Sequence, residues 1–220
     1  MVSLLDIIGP VMVGPSSSHT AGACRIGLLA RALAGGMPDR AKVELHGSFA
    51  RTGVGHGTDR AIAGGLLGFQ PDDERLRRSL ELADEAGLAI TFANAKLRGN
   101  HHPNTTRITV ARGDRTLSVT GSSLGAGRIS ITDIDGYPVD ITGALPTLVF
   151  VAPDVPGIVA TVTSALAGEQ ANIATMRVSR RRKGGEAIHI YELDAPPSEG
   201  ALEAIRGLGA RMVRAVPRVS

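Results

Sequence analysis

Cysteine occurs once, as Cys24, in a chain of 220 residues. One thiol excludes an intrachain disulfide and the small stapled folds that depend on one. It equally excludes an iron–sulfur or zinc centre built from this chain's own thiolates. Tryptophan is absent and aromatic residues make up 3% of the chain, so the core must be packed from Leu, Ile, Val and Ala. Lysine stands only at positions 42, 96 and 183, and none of these suggests a cofactor-binding lysine. No apolar run approaches the ~18 residues that a membrane helix requires. Met1 to Pro15 has no basic n-region and is interrupted by Asp6, Gly9 and Pro10, so no signal peptide is expected. These absences predict a cytoplasmic protein with no membrane partner.

Apolar residues make up 43% of the chain and charged residues 20%, a globular composition sufficient for one or two domains. The net charge is +3 and the isoelectric point near 9.5. The one strongly basic run, Arg180-Arg181-Arg182-Lys183, leads straight into Gly184-Gly185 and reads as a solvated hairpin tip. With no aromatic platform or recognition-helix pattern beside it, no nucleic-acid partner is expected.

Two regions follow different patterns. In the first, Ala21 to Leu33 predicts a helix stopped by Gly35-Gly36 and Pro38, and Ala41 to Gly47 alternates as a half-buried strand. A small-residue helix over Thr58 to Leu67 and a helical segment over Pro71 to Ala86 follow. Strands are then expected at Ala89–Asn94, Thr106–Arg112, Arg115–Ser122 and Gly127–Asp133. In the second region the order is an apolar strand at Leu148–Val151, a helix at Ile158–Leu166, a hairpin at Asn172–Ser179 and Glu186–Leu193, a helix at Pro197–Leu208, and a strand at Met212–Val216. That βαββαβ order is ferredoxin-like.

The polar clusters of the first region carry the chemistry. Ser16-Ser17-Ser18-His19-Thr20 stands at a predicted helix N-terminus, where free N–H groups and the macrodipole favour a carboxylate or phosphate. His19 adds a donor or a proton-exchange group. A plain N-cap with spare serines accounts for the same residues, and both readings stand. In Gly53-Val54-Gly55-His56-Gly57-Thr58-Asp59, glycines open the backbone around His56. Thr58 or Asp59 can cap the next helix, and Asp59 can orient an imidazole; a Gly-rich loop with an internally satisfied histidine is the alternative. No Gly-Lys-Ser/Thr follows, so this is not a P-loop. Adjacent His101 and His102 point apart and bind no common metal, leaving a polar turn set by Pro103 and Asn104, or a grip on a small polar substrate. Gly121 to Gly127 reads as a strand connector, and Cys24 as a buried small residue.

Taken together, these motifs resemble one family. Gly14-Pro15-Ser16-Ser17-Ser18-His19-Thr20-Ala21-Gly22 is similar to the opening signature of the β chain of iron–sulfur L-serine dehydratases. Gly47-Ser48-Phe49, Thr52 to Asp59 and His102-Pro103-Asn104-Thr105 follow in that family's order. The resemblance spans nearly the whole chain. It implies a subunit that deaminates L-serine to pyruvate and ammonia with a partner α chain, whose cysteines hold a 4Fe–4S cluster; pyridoxal phosphate is not needed. On that footing Ser16, Ser18, His19 and Thr20 are expected to hold the substrate carboxylate. His56, Thr58 and Asp59 would line the opposite wall, and His102 and Asn104 would complete the pocket. His19 and His56 are the catalytic candidates, His56 for proton transfer, and no metal ligand is expected in this chain.

Asp154-Val155-Pro156-Gly157-Ile158-Val159-Ala160, Ala171-Asn172-Ile173-Ala174 and the hairpin after them resemble an ACT domain. Related domains often carry His where this chain has Ala152, which argues against a regulatory amino-acid site. The fold expected is therefore α+β. An N-terminal α/β sandwich over residues 1–143 is similar to the allosteric substrate-binding domain of some phosphoglycerate dehydrogenases, and a ferredoxin-like ACT domain follows over residues 146–220. A non-catalytic module that senses a small acid or amino acid, or an ACT-mediated dimerisation scaffold, are the competing functions. A homodimer or an α2β2 assembly fits each of them.

Overall fold

The computed structural model describes residues 10–219. The signal-peptide expectation for Met1 to Pro15 falls largely on residues 1–9, outside the described residues. The chain divides into two compact units, one reaching Gly136 and the other spanning Tyr137–Val219.

The first unit opens with a π-helical turn, Ser17–Gly22, that runs directly into helix α1, Ala23–Ala34. Gly35, at φ 85°, ends α1 in the left-handed conformation that glycine adopts without steric cost. After strand β1 (Arg40–Leu45) come a short helix α2 (Gly47–Thr52), a 3₁₀ turn (Val54–His56) and helix α3 (Thr58–Leu67). A second 3₁₀ turn (Glu74–Arg78) and helix α4 (Ser79–Glu85) replace the continuous helix that Pro71 to Ala86 predicts. Asp73 starts this turn by accepting from the Arg75 backbone N–H. The strands β2 (Ala89–Asn94), β3 (Thr105–Arg112), β4 (Arg115–Gly125) and β5 (Arg128–Ile134) stand close to their expected positions.

Within this unit the strands lie in the order β2-β1-β3-β4-β5. β1 and β2 are parallel, as the helical crossover between them requires; β3 pairs antiparallel with β1 across a long connection, and β3-β4 and β4-β5 are antiparallel hairpin neighbours. Helix α1 lies on β4: a Cβ on Gly121 would sit 3.0 Å from Ile26 Cγ2. Helix α3 packs on α1 rather than on the sheet, at backbone-contact distance. A Cβ on Gly27 would stand 2.6 Å from the Ile62 carbonyl, and one on Gly65 would stand 2.2 Å from the Cys24 carbonyl. The two glycines let the helices touch, and Ile26, Leu29, Leu33, Ile62 and Leu66, all 1% exposed or less, close the core around them.

The second unit begins with a short strand β6 (Tyr137–Ile141), which the sequence pattern does not announce. It continues through β7 (Thr147–Pro153), α5 (Ile158–Gly168), β8 (Ile173–Arg180), β9 (Glu186–Leu193), α6 (Glu199–Arg206) and β10 (Met212–Val216). Its sheet has the order β10-β7-β9-β8, and α5 and α6 cover one face with Ile158, Val162, Leu166, Leu202 and Ile205. This is the ferredoxin-like arrangement. The basic run ends β8 and enters the hairpin turn, where Asp154 pairs with Arg180 at 2.9 Å and accepts from Gly184 N–H at 3.2 Å. Phe150 and His189 stack across β7 and β9 with centroids 4.4 Å apart, and Tyr191 continues the stack. His189 Nδ1 and the Tyr191 hydroxyl are buried without a hydrogen-bond partner among the described residues. Burial pushes the His189 imidazole down to about 4, against an ordinary value of 6.5.

Two predictions follow from packing and titration. Gly65→Ala should lower unfolding free energy by about 3 kcal/mol, at the upper end of overpacking costs. Gly168→Ala, whose Cβ meets nothing within 4 Å, should raise it by roughly 0.5 kcal/mol; equal effects of the two in urea unfolding would refute the close-crossing argument. A His kept neutral in the folded state contributes stability that is complete above its unfolded value of 6.5. That contribution drains away as pH falls toward about 4, because the unfolded chain takes the proton first. His189→Phe should preserve the stack and flatten melting temperature against pH across that window.

Candidate active site at the Ser-His turn

Four segments converge on the start of α1. Ser16 is the N-cap, with extended backbone (φ −143°, ψ 119°), and its Oγ accepts the His19 backbone N–H at 3.2 Å. The same hydroxyl lies 3.4 Å from His19 Nδ1. Ser18 faces the β4–β5 turn, its Oγ 3.8 Å from where a Cβ on Gly125 would stand. Thr20 is buried and donates to the His56 carbonyl at 3.4 Å. The serine run therefore supplies a cap, a partner for an imidazole and a contact with the turn, not three copies of one cap.

The second segment brings His56 to His19. Their ring centroids are 4.9 Å apart, and Phe49 packs its edge on His19 at 5.2 Å. His56 Nδ1 lies 2.9 Å from the Thr52 carbonyl, and Thr52 Oγ1 lies 3.0 Å from His19 Nε2. Ser48 Oγ is 3.4 Å from the same nitrogen. Ser48 and Thr52 sit one turn apart on α2, so both hydroxyls face the same way. Sequence reasoning gave neither a role, because α2 is six residues long and its Gly-Ser start looks like a loop. The signal available was their i, i+4 spacing just ahead of the glycine loop.

Thr58 begins α3 and is buried, with an Oγ1 that has no hydrogen-bond partner among the described residues. Asp59 accepts from the Arg60 backbone N–H at 2.8 Å; the imidazole beside it is held by Thr52 instead. From the third segment, Asn104 Nδ2 donates to the Ser123 carbonyl at 3.3 Å, and Asn104 N–H donates to His102 Nδ1 at 3.1 Å. His102 itself is exposed. The fourth segment is the end of β4. Ser123 Oγ is buried, unpartnered and pressed against Gly22, where a Cβ would collide with it. The turn Pro103 locks onto α2, since its carbonyl accepts from Ser48 N–H at 2.7 Å. Ser16, Ser18, His19, Thr20 and His56 are thus drawn together directly, while Asn104 and His102 join the group through Ser123.

A cavity of about 430 Å³ opens beside His56, lined among others by Gly14, Thr20, Gly55, Arg60 and Arg77. That volume accommodates a small polar metabolite. Arg60 and Arg77 give its wall positive charge, Arg77 being paired with Glu74 at 3.0 Å. Burial holds the His19 imidazole below its ordinary value, and like charge on His56 lowers it further, while a hydrogen bond at Ser48 pulls the other way. His19 is therefore set to stay neutral near pH 7 and to serve as a hydrogen-bonding group.

Among the described residues no group of three His, Cys, Asp or Glu side chains can hold a metal ion. Cys24 is buried on α1, its thiol donates to the Phe69 carbonyl at 3.2 Å, and burial pushes it up to about 12. It does not fit a cluster ligand, which must be a thiolate. No helix among the described residues is long and apolar enough to cross a membrane.

A helix-and-sheet unit with paired histidines at its helix mouths, followed by a ferredoxin-like unit, defines a two-part α+β protein of the ACT-bearing class. Residues 146–210 match the ACT domain, and residues 3–133 match the serine dehydratase beta chain. The chain belongs to the serine dehydratase beta chain family. It is 39% identical over 208 residues to the L-serine dehydratase beta chain of Peptoniphilus asaccharolyticus, covering 94% of this chain and 93% of that one. It is 42% identical over 206 residues to the probable L-serine dehydratase beta chain of Bacillus subtilis, with the same coverage. The L-serine dehydratase TdcG of Escherichia coli is 34% identical over 169 residues, which are 66% of this chain but 37% of that protein.

Replacing His56 with Gln removes the repulsion while leaving the burial. His19 in His56→Gln should then titrate higher than in the wild type, yet still below the ordinary value, in an NMR pH titration of this chain. An unchanged His19 curve would show that burial acts alone.

Proposed function

We propose that this chain is the substrate-binding subunit of an L-serine dehydratase and converts L-serine to pyruvate and ammonia with a separate α chain. The observation that carries the proposal is the His19–His56 pair, hydrogen-bonded into the Ser16–Thr20 turn beside a polar cavity, in a chain of the beta-chain family. TdcG extends far beyond the region it shares with this chain, which supports assigning the rest of the enzyme to another polypeptide.

The α chain holds a 4Fe–4S cluster that supplies Lewis acidity, making hydroxide a viable leaving group. This chain's residues bind and orient the rest of the substrate. The Ser18 hydroxyl, with the N–H groups of the helix start that Ser16 does not take, forms the donor set for the serine carboxylate, while the Ser16 and Thr20 hydroxyls hold the two histidine segments in place. Arg60 adds charge from the cavity wall, and Thr58, Asp59, Asn104 and His102 complete the polar surround. His19, neutral and hydrogen-bonded on both ring nitrogens, positions the Ser16 cap at the carboxylate end rather than exchanging protons. His56 Nε2 is the position for accepting the Cα proton. Loss of that proton and of the hydroxyl, as water, leaves aminoacrylate, which hydrolyses to pyruvate and ammonia. The assembly is proposed to be cytoplasmic and oligomeric.

Anaerobic serine deamination is the test, with this chain alone and with a co-expressed, cluster-loaded α partner. Pyruvate is expected only from the mixture, and His19→Ala should lower turnover by at least about a hundredfold, the scale of a lost acid–base or positioning group, while the melting temperature stays near wild type. Pyruvate from the α chain alone, unaffected by this chain, would instead make it a sensing or dimerisation module.

A further inference from the structure

Thr52 contacts both histidines, and does so with two different atoms. Its Oγ1 lies 3.0 Å from His19 Nε2 and 3.0 Å from the Ser48 carbonyl, while its own carbonyl lies 2.9 Å from His56 Nδ1. The nature of each acceptor decides where the ring protons sit. A carbonyl only accepts, so neutral His56 carries its proton on Nδ1 and keeps a lone pair on Nε2. The Thr52 hydroxyl has one proton, and the Ser48 carbonyl takes it. Its oxygen then accepts from His19 Nε2–H. His19 Nδ1 is left as an acceptor for the Ser16 hydroxyl, whose oxygen already accepts the His19 backbone N–H. The reverse assignment leaves the lone pairs of Thr52 Oγ1 and His19 Nε2 facing each other at 3.0 Å, with only the longer 3.4 Å contact from Ser48 Oγ to serve that nitrogen, or else gives up the bond to the Ser48 carbonyl.

We infer that Thr52 is a positioning residue that imposes opposite tautomers on the two imidazoles, Nε2–H on His19 and Nδ1–H on His56. Of the four ring nitrogens, His56 Nε2 alone then carries a lone pair with no hydrogen-bond partner among the described residues. A neutral imidazole free to exchange tautomers presents that lone pair only part of the time; Thr52 removes the exchange. Thr52 is exposed, so its hydroxyl has no packing role in the core. The tautomers do not depend on the proposed activity, but their consequence for turnover rests on the serine dehydratase reading.

The experiment uses the full chain labelled with ¹⁵N-histidine. Long-range ¹H–¹⁵N spectra of neutral imidazoles separate the two tautomers, and His19→Gln and His56→Gln identify the signals. The wild type should show His19 protonated at Nε2 and His56 at Nδ1. In Thr52→Val the His19 signals should move to a mixture of tautomers while His56 keeps Nδ1–H, because the backbone carbonyl remains; Thr52→Ser should restore the wild-type pattern. In the assembled enzyme Thr52→Val should raise KM for serine about tenfold with kcat little changed, because His19 at the carboxylate end loses its fixed tautomer while the base His56 keeps its own, and Thr52→Ser should recover it. His19 protonated at Nδ1 in the wild type, or unaltered in Thr52→Val, would overturn the inference. So would loss of turnover in Thr52→Val with unaltered tautomers, since a packing role would account for it. Absence of pyruvate from the wild-type mixture would overturn the serine dehydratase proposal and leave the tautomer result standing.

Discussion

The contact between α1 and α3 is the constraint on which the first unit depends. Both helices begin at the candidate site, one after the Ser-His turn and the other after the His56 loop, and both run away from it in the same sense. Gly27 and Gly65 allow their backbones to touch, so the two helix mouths are held as one rigid base. The 4.9 Å separation of His19 and His56 depends on that contact, together with the packing of the Ser-His turn on the end of β4. A side chain between the helices would separate the rings before it disturbed any strand. In Coulomb terms the arrangement also disfavours a charge on both rings at once: two imidazolium groups this close repel.

The regular elements were largely legible in the sequence. β2, β9 and β10 and the small-residue helix α3 stand where alternation, β-branched residues and bounding glycines put them. The ferredoxin-like order of the second unit was readable because each strand and helix carries its own turn signal. Three features were not. α2 lacks the length for a periodic pattern, and its register is set from outside by the Pro103 carbonyl. β6 is five residues with Pro138 inside, too short and too interrupted to stand out. The widened turn at Ser17–Gly22 leaves no compositional trace at all, because a π-helix and an α-helix use the same residues. For the candidate site, the serines and histidines were visible as motifs, but the hydroxyl and carbonyl that link the histidines lay in a segment that reads as a connector.

The buried polar atoms without partners mark where each unit forgoes stability. Each such atom costs roughly 1–3 kcal/mol relative to a satisfied one. In the first unit Thr58 Oγ1 and Ser123 Oγ sit in two of the segments that flank the Ser-His turn. In the second, His189 and Tyr191 sit within the sheet stack under α5 and α6. Local violations of this kind are expected at functional positions more than in an optimised core.

The π-helical turn turns the serine run into a matter of phase. Each residue advances a helix by about 100°, so inserting or deleting one serine between Ser16 and His19 would swing the capping hydroxyl away from the His19 N–H and Nδ1 even with every donor retained. The extra residue in the wide turn absorbs that rotation once, between the cap at Ser16 and the first regular residue of α1. The length of Ser16-Ser17-Ser18 is therefore constrained independently of its chemistry. A chain with alanine at Ser17 keeps that spacing, whereas a chain one residue shorter loses the cap's alignment while keeping nearly every atom of it.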